Sequence, residues 1–169
     1  YQIVNILLVR ELTEGTYSGI EHEIVPGVME TIKITTADKC RRIVEYAFDL
    51  ARRKNRKRVT LVHKANIMKQ SDGMFVRIGK EVAAQNPDIE FRDIIIDNCT
   101  MQMVAKPEQF DVMVADNMFG DILSDVGAGL LGSPLLVPSI NIGEGVRIYE
   151  ATHHLKYEKR EDGQAIADP

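Results

Sequence analysis

Apolar segments of strand length alternate with helical patterns along most of this chain. The segments with strand character are residues 4–9, 58–63, 91–96 and 110–115, and helical patterns begin near residues 36, 71, 98 and 117. Strands that are joined through helices pair in parallel, and the helices then cover the faces of the sheet. The sequence therefore predicts an α/β fold in which a sheet is flanked by helices.

Two segments depart from this alternation. Residues 21–34 contain two β-prone runs that Pro26 and Gly27 separate, which is typical of a hairpin. We expect this hairpin to project from the sheet as an arm over about residues 18–35. Gly, Ser and Pro are frequent in residues 132–145, so we expect a loop there, followed by a last strand at 146–150.

Composition restricts the class of protein. With 169 residues, 44 % hydrophobic and 27 % charged, the chain has the size and balance of one soluble globular domain. Its net charge of −4 does not indicate a nucleic-acid partner. The basic run at residues 52–58 is the exception, and it can either complement the dipole of the preceding helix or form a nucleic-acid patch. The uncharged stretch 126–143 is broken by Gly and Pro and predicts no membrane span.

The two cysteines and the first residue bear on the setting of the chain. Cys40 and Cys99 make no disulfide framework, which favours a reduced, intracellular setting. Because the chain begins at Tyr1 and runs straight into an apolar strand, we expect it to be part of a longer protein or a processed product.

Three aspartates are candidates for binding a metal ion. Asp121 and Asp125 are four residues apart in a predicted helix, so they share one helix face. Asp97 ends a predicted strand, and ligands gather at the carboxyl ends of strands in open α/β sheets. Carboxylate oxygens suit a hard divalent cation. The alternative is that these acids serve the helix dipole and cap.

Three further residues can take part in chemistry. Lys64 follows the strand at 58–63, and a crowded or desolvated lysine can act as a base; otherwise it is a solvated strand-end lysine. Arg10 ends the first strand and can hold a substrate carboxylate, or it pairs with Glu11 or Glu14. Tyr17 lies in a turn-rich segment and is either functional or a surface aromatic. Cys99 has no evident base and is not expected to be a catalytic thiol.

The order and spacing of these motifs resemble a known family. The chain contains R-E-L-T-E-G-T-Y-S-G-I-E-H, then V-H-K-A-N-I-M-K-Q-S-D-G, then I-D-N, then N-M-F-G-D-I-L-S-D, then P-S-I-N-I-G and I-Y-E-A. This set closely resembles the β-decarboxylating dehydrogenases, which act on isocitrate, isopropylmalate, homoisocitrate or tartrate. The likeness covers about residues 4–151 and is greatest to NAD-type isocitrate dehydrogenase subunits.

The resemblance implies metal-dependent oxidative decarboxylation of isocitrate to 2-oxoglutarate with NAD as the hydride acceptor. Mg²⁺ or Mn²⁺ would bind the hydroxyl and α-carboxylate of the substrate and stabilise the enolate as a Lewis acid. Asp121 and Asp125 match two metal ligands of the family. Asp97 matches a third ligand that comes from the neighbouring subunit.

The same resemblance assigns roles to the other candidates. Lys64 matches the residue that helps remove the hydroxyl proton, also across the dimer interface. Tyr17 matches the acid that protonates the enolate, and Arg10 matches one of the arginines that hold substrate carboxylates. The arm matches the clasp that joins two subunits, which implies a homodimer or a hetero-oligomer of related subunits.

The chain also departs from the family pattern. Leu12 stands where isocitrate enzymes usually have Asn, and Thr16 replaces the common Glu before Tyr17. Residues 152–169 look like an altered adenosine loop, which implies that His153, Lys156 and Tyr157 are the cofactor-binding residues. The pair Lys156–Tyr157 resembles one that NADP enzymes place near the 2′-phosphate, so NADP stays open beside NAD.

These features imply a division of the chain and of its activity. Residues 1–151 correspond to the small, dimer-forming and catalytic domain, and residues 152–169 to the adenosine-loop remnant or a tail. We expect the isolated chain to have little turnover, because the family's other carboxylate clamps and coenzyme platform lie outside it. Two alternatives are a non-catalytic regulatory or assembly subunit and a sister enzyme for another hydroxy acid. A mitochondrial matrix location is implied if the source is eukaryotic, and a cytoplasmic one otherwise.

Overall fold

The computed structural model describes residues 4–132 and 137–151. Its strands and helices follow one another as β1 (Leu7–Arg10), β2 (Glu21–Val25), β3 (Val28–Thr31), α1 (Ala37–Arg53), β4 (Arg58–His63), α2 (Ser71–Ala84), β5 (Glu90–Ile95), α3 (Ile96–Ala105), β6 (Val112–Ala115), α4 (Asn117–Leu131), β7 (Pro138–Ile142) and β8 (Arg147–Ala151). Short 3₁₀ helices cover Thr16–Ser18 and Pro107–Gln109. No helix in the described ranges is long and apolar enough to cross a membrane.

Four strands form a parallel sheet in the order β1-β6-β4-β5. The predicted α/β fold is confirmed. Because all four strands run in the same direction, their carboxyl ends meet at one edge. Arg10 ends β1, and Lys64 and Asp116 follow β4 and β6 directly. Asp97 lies in the first turn of α3, so the strand that we expected to reach it ends at Ile95 instead.

Helices cover both faces of this sheet. Alternate residues of a strand point to opposite faces, and β6 divides in this way. Val112 and Val114 pack in the core beneath α1 and α2, whereas Met113 and Ala115 pack in the core beneath α3 and α4. The two cores fix α3 and α4 on one face, and these helices carry all three candidate metal ligands.

The arm and a second hairpin stand apart from the sheet. Strands β2 and β3 pair only with each other among the described residues, and every residue in them is exposed. The hairpin predicted around Pro26 and Gly27 is thus present. Strand β7 pairs with β8, so the prediction of a loop over 132–145 is wrong for residues 138–142. Pro138 is the first residue of β7, where its missing N–H is tolerated.

The basic run at the end of α1 and just beyond it is largely paired with acidic side chains. Arg52 pairs with Asp88, Arg53 with Asp49, Arg56 with Asp111 and Arg58 with Glu90. The contacts of these four arginines are therefore within the domain. Arg53 also lies 5.5 Å over the ring of Tyr46.

Candidate active site

Arg10 joins the end of β1 to the start of α4. Its Nε and Nη2 atoms donate to Oδ1 of Asn117 over 3.0 and 2.7 Å. Its Nη1 atom donates to Oδ1 of Asp121 over 2.5 Å, forming an ion pair in which both side chains are partly exposed. Arg10 thus pairs with neither Glu11 nor Glu14, the local partners that the sequence suggested. Asn117 is buried, and sequence reasoning did not find it.

Tyr17 meets the same carboxylate from the other side. Its hydroxyl donates to Oδ2 of Asp121 over 2.7 Å, and the Arg10 guanidinium lies 5.6 Å from the centre of its ring. The hydrogen bond to Asp121 raises the pKa of Tyr17 above its ordinary value. The phenol therefore keeps its proton at neutral pH. The tyrosine is 51 % exposed, so its hydroxyl is accessible to a ligand.

Asp121 and Asp125 lie one turn apart on α4, as predicted. Asp116 caps this helix, since its Oδ1 atom accepts from the backbone N–H of Phe119 over 2.8 Å. The donors that Asp121 and Asp125 offer are carboxylate oxygens, which fit Mg²⁺ or Mn²⁺. Within residues 4–132 and 137–151, however, no three acidic, His or Cys side chains come together as a possible metal site. The described part of one chain therefore offers two carboxylates at this position and no cluster of three possible ligands.

Lys64 and Asp97 form a second polar group. The Nζ atom of Lys64 lies 2.6 Å from Oδ1 of Asp97. The hydrogen bond from Lys64 lowers the pKa of Asp97 below its usual value, so this carboxylate is charged at neutral pH. The side chain of Asp97 is 69 % exposed, so most of this carboxylate faces solvent. Lys64 and Asp97 are 33 residues apart in the sequence, and β4 and β5 bring them together.

These two groups lie at different positions along the carboxyl edge. Arg10, Tyr17 and Asp121 lie at the β1 end of the carboxyl edge, whereas Lys64 and Asp97 lie near β4 and β5. Two strand spacings, roughly 9 to 10 Å, separate β1, which Arg10 ends, from β4, which Lys64 follows. Of the candidate residues, the structure thus brings Arg10 to Asp121, Tyr17 to Asp121 and Lys64 to Asp97.

Neighbouring groups have structural roles. His63 is buried, contacts Oδ2 of Asp93 through Nε2 at 3.1 Å and accepts from the Ala65 N–H through Nδ1. Glu11 is also buried and accepts from the backbone N–H groups of Thr13 and Glu14, which shapes the turn before Tyr17. Burial raises the pKa of Cys99 to about 12, which agrees with the expectation that it is not a catalytic thiol.

The predicted cofactor-binding residues His153, Lys156 and Tyr157 lie outside the described residues. The role assigned to them stays a prediction.

Comparison with known proteins connects this geometry to a family. A family model described as isocitrate/isopropylmalate dehydrogenase matches residues 1–154. A probable mitochondrial isocitrate dehydrogenase (NAD) subunit alpha from Caenorhabditis elegans is 51 % identical over 153 residues, which are 90 % of this chain and 43 % of that protein. A chloroplastic 3-isopropylmalate dehydrogenase from Solanum tuberosum is 49 % identical over 154 residues, 90 % of this chain and 43 % of that protein.

A solved structure gives the same result. The crystal structure of isocitrate dehydrogenase from Methylococcus capsulatus superposes with a TM-score of 0.88 and 52 % identity, covering 90 % of this chain and 46 % of that one. The chain thus spans less than half the length of the relatives it matches. Since the family model matches most of the chain, the chain belongs to the isocitrate/isopropylmalate dehydrogenase family.

Proposed function

We propose that this chain is the metal-binding and proton-transfer part of an NAD-dependent isocitrate dehydrogenase subunit. In this proposal, residues 1–151 are the small catalytic domain, and two copies or two related subunits combine to make each site. The observation that carries the proposal is the presence of two complementary groups at different positions along the carboxyl edge. Tyr17, Arg10 and Asp121 lie together near β1 and α4, and Lys64 and Asp97 lie together after β4 and β5.

The residues of the chain have distinct roles in this reaction. Lys64 takes up the proton of the substrate hydroxyl as the free amine, which forms when its ammonium group releases a proton to solvent, and Asp97 orients the side chain. Tyr17 delivers a proton to the substrate carbon after decarboxylation, since its hydroxyl is exposed and oriented by Asp121. Arg10 has guanidinium N–H groups beyond those it gives to Asn117 and Asp121, and these can hold a substrate carboxylate.

A divalent cation would be held by Asp121 and Asp125 of one copy and Asp97 of the other. When bound, Mg²⁺ or Mn²⁺ would supply Lewis-acid polarisation of the substrate oxygens. Oxygen ligands are the correct chemistry for such ions, and the largely exposed carboxylate of Asp97 is accessible to them.

Exposed apolar side chains support a partner on the helices that carry these aspartates. Met101 and Val104 on α3 are 57 and 50 % exposed, and Ile122 and Leu131 on α4 are 44 and 47 % exposed. The arm adds Ile24, at 56 %, and Met29, at 68 %. Several exposed apolar side chains on neighbouring helices are typical of a protein interface. A second subunit that covers α3 and α4 would bring its own Lys64 and Asp97 toward Asp121.

A sister activity is the second candidate. The potato relative is named 3-isopropylmalate dehydrogenase at 49 % identity, close to the 51 % of the isocitrate relative. The R-E-L motif, with Leu12 as its third residue, is also the form typical of isopropylmalate enzymes. Turnover of isocitrate, isopropylmalate, homoisocitrate and tartrate by the protein at its natural length distinguishes these activities.

We propose NAD as the hydride acceptor, with NADP as the comparison, and a mitochondrial location in a eukaryotic source.

Calorimetric titration tests the proposed site directly. Mn²⁺ is titrated into the 169-residue chain in excess isocitrate, beside the double variant Asp121→Asn, Asp125→Asn. A matched control is Glu45→Gln, Asp49→Asn, which removes two carboxylates one turn apart on α1. We expect binding that needs both Mn²⁺ and isocitrate, persists in the control and vanishes in the site variant. Equal binding in all three, or none in the unmodified chain, contradicts the proposed site.

Sedimentation tests whether the chain associates. We expect a dimer at micromolar concentration. A subunit that dimerises but neither binds Mn²⁺ with isocitrate nor turns over any of the four acids would be a regulatory or assembly partner.

A further inference from the structure

Lys33 is a nearly buried cation between two carboxylates. Its side chain is 13 % exposed, and its Nζ atom lies 2.7 Å from Oδ1 of Asp72 and 2.7 Å from Oδ2 of Asp116. Burial on its own lowers the pKa of Lys33, but hydrogen bonds to Asp116 and Asp72 outweigh this effect and raise the pKa. The Sδ atom of Met68 at 3.7 Å and the ring of Phe119 at 5.4 Å complete its surroundings.

The second oxygen of each carboxylate accepts from a backbone N–H of the candidate site. Oδ2 of Asp72 accepts from the N–H of Lys64 over 2.7 Å. Oδ1 of Asp116 accepts from the N–H of Phe119 over 2.8 Å, which fixes the first turn of α4. One ammonium group therefore holds two carboxylates, and each carboxylate holds the backbone of one half of the site.

The backbone of Lys33 belongs to the root of the arm. The N–H of Ile32 donates to the carbonyl of Ile20 over 3.0 Å, and the N–H of Gly15 donates to the carbonyl of Ile34 over 3.0 Å. Lys33 lies between these two paired positions. A displacement of the arm at its root therefore displaces the ammonium group that Asp72 and Asp116 share.

We propose that Lys33 is a positioning residue that connects the arm to both halves of the site through Asp72 and Asp116. The inference deepens the proposed function and rests on it for its effect on catalysis. In the described part of the chain, the side-chain partners of Lys33 are not the reacting groups, so Lys33 acts through the placement of Lys64 and of α4. Without it, a buried carboxylate and a partly buried one face each other with no cation between them, and such groups repel each other and reorient.

Amide exchange measures this connection without reference to activity. In Lys33→Met, hydrogen exchange of the Lys64 and Phe119 N–H groups in the 169-residue chain should rise together, by about tenfold or more. The conservative variant Lys33→Arg keeps a cation and should restore much of the protection. Arg42→Met is the matched control, because Arg42 pairs with the buried carboxylate of Glu11, which holds the N–H groups of Thr13 and Glu14 instead.

Kinetics of the protein at its natural length test the catalytic consequence. We expect Lys33→Met to lower kcat at saturating isocitrate and Mn²⁺ by about tenfold or more, and Lys33→Arg to recover most of it. In the background of Asp72→Asn, removal of Lys33 should cost less than in the unmodified protein, because the two residues act in one chain of contacts.

The outcomes separate the inference from the proposed function. If the unmodified protein turns over isocitrate and Lys33→Met retains its kcat, the inference is overturned and the function stands. Unchanged exchange at Lys64 and Phe119 also overturns the inference, whatever the turnover. If the unmodified protein turns over none of the four acids, the function fails, and amide exchange alone decides whether Lys33 holds both halves. A rise at Phe119 without a rise at Lys64 also overturns the inference, because a single connection remains.

Discussion

Tyr17 donates its hydroxyl hydrogen to Oδ2 of Asp121, although the two residues are 104 positions apart. Strand β1 lies beside β6, and α4 follows β6 directly, so the segment after β1 passes over the start of α4. Arg10 holds the other oxygen of the same carboxylate. A phenol, a guanidinium and a carboxylate thus form one unit at the edge of the sheet, with the phenol exposed.

The Tyr17→Phe variant tests whether this phenol is the proton donor. Removal of the hydroxyl should lower kcat for isocitrate by about 10²-fold or more, because general acid catalysis contributes on this scale. KM and the unfolding temperature should change little, since the ring is half-exposed and stays in place. Steady-state kinetics and thermal unfolding measure both. Tyr149→Phe, at another exposed tyrosine on β8, is the control, and equal kcat values in the two variants would refute the role of Tyr17.

Mixing two inactive variants tests whether each site is shared between subunits. Lys64→Met and Asp121→Asn should each be inactive alone. If Lys64 of one subunit serves Asp121 of the other, a hybrid dimer contains one intact site. Random mixing should then restore about a quarter of the unmodified activity, because half of the dimers are hybrids and each has one working site of two. Persistent inactivity after exchange of subunits would place both residues in the site of a single chain.

The alternation of strand and helix patterns predicted the fold class, but it could not predict the order of the strands. The order β1-β6-β4-β5 depends on contacts between distant segments, and no local pattern records them. For the same reason, the sequence could place Lys64 and Asp97 at one edge without showing that they pair. Arg10 illustrates the limit, since nearby Glu11 was a reasonable partner. Glu11 instead turns to Thr13, Glu14 and Arg42, and Arg10 reaches Asp121.

The hairpins show where local chemistry is sufficient and where it misleads. Pro26 and Gly27 between two β-prone runs predicted the arm, because a turn needs these residues. The same residue types in 132–145 predicted a loop, although residues 138–142 form strand β7. Its residues Ile140 and Ile142 are both exposed and pair with β8, so the strand has no buried face that would have given a clear pattern. The sequence alone did not identify Lys33 as a positioning residue, because its partners Asp72 and Asp116 are distant in the chain.

Both thiols should be unreactive in the folded chain. Burial raises the pKa of Cys40 and of Cys99 to about 12, so almost no thiolate forms at pH 8. Iodoacetamide at pH 8 should therefore add nothing to the folded chain and two groups to the unfolded chain, as intact mass would show. Lys69→Cys places one exposed thiol on the surface as the control. Modification of the native cysteines at the rate of this control would show that they are not buried.

Gly120 should be required because the stem of Arg10 lies directly against it. A Cβ atom at Gly120 would come within 2.6 Å of Cγ and 2.9 Å of Cβ of Arg10, so Gly120→Ala must push Arg10 away from Asn117 and Asp121.

Gly129 on the same helix has open space around the added Cβ and is the matched control. Alanine is favoured over glycine in a helix by about 1 kcal/mol, so Gly129→Ala should be slightly more stable than the unmodified protein. Gly120→Ala should instead raise KM for isocitrate by about tenfold or more while the chain stays folded, because Arg10 is displaced from its hydrogen bonds. Equal KM values in the two alanine variants would show that close packing on Gly120 does not orient Arg10.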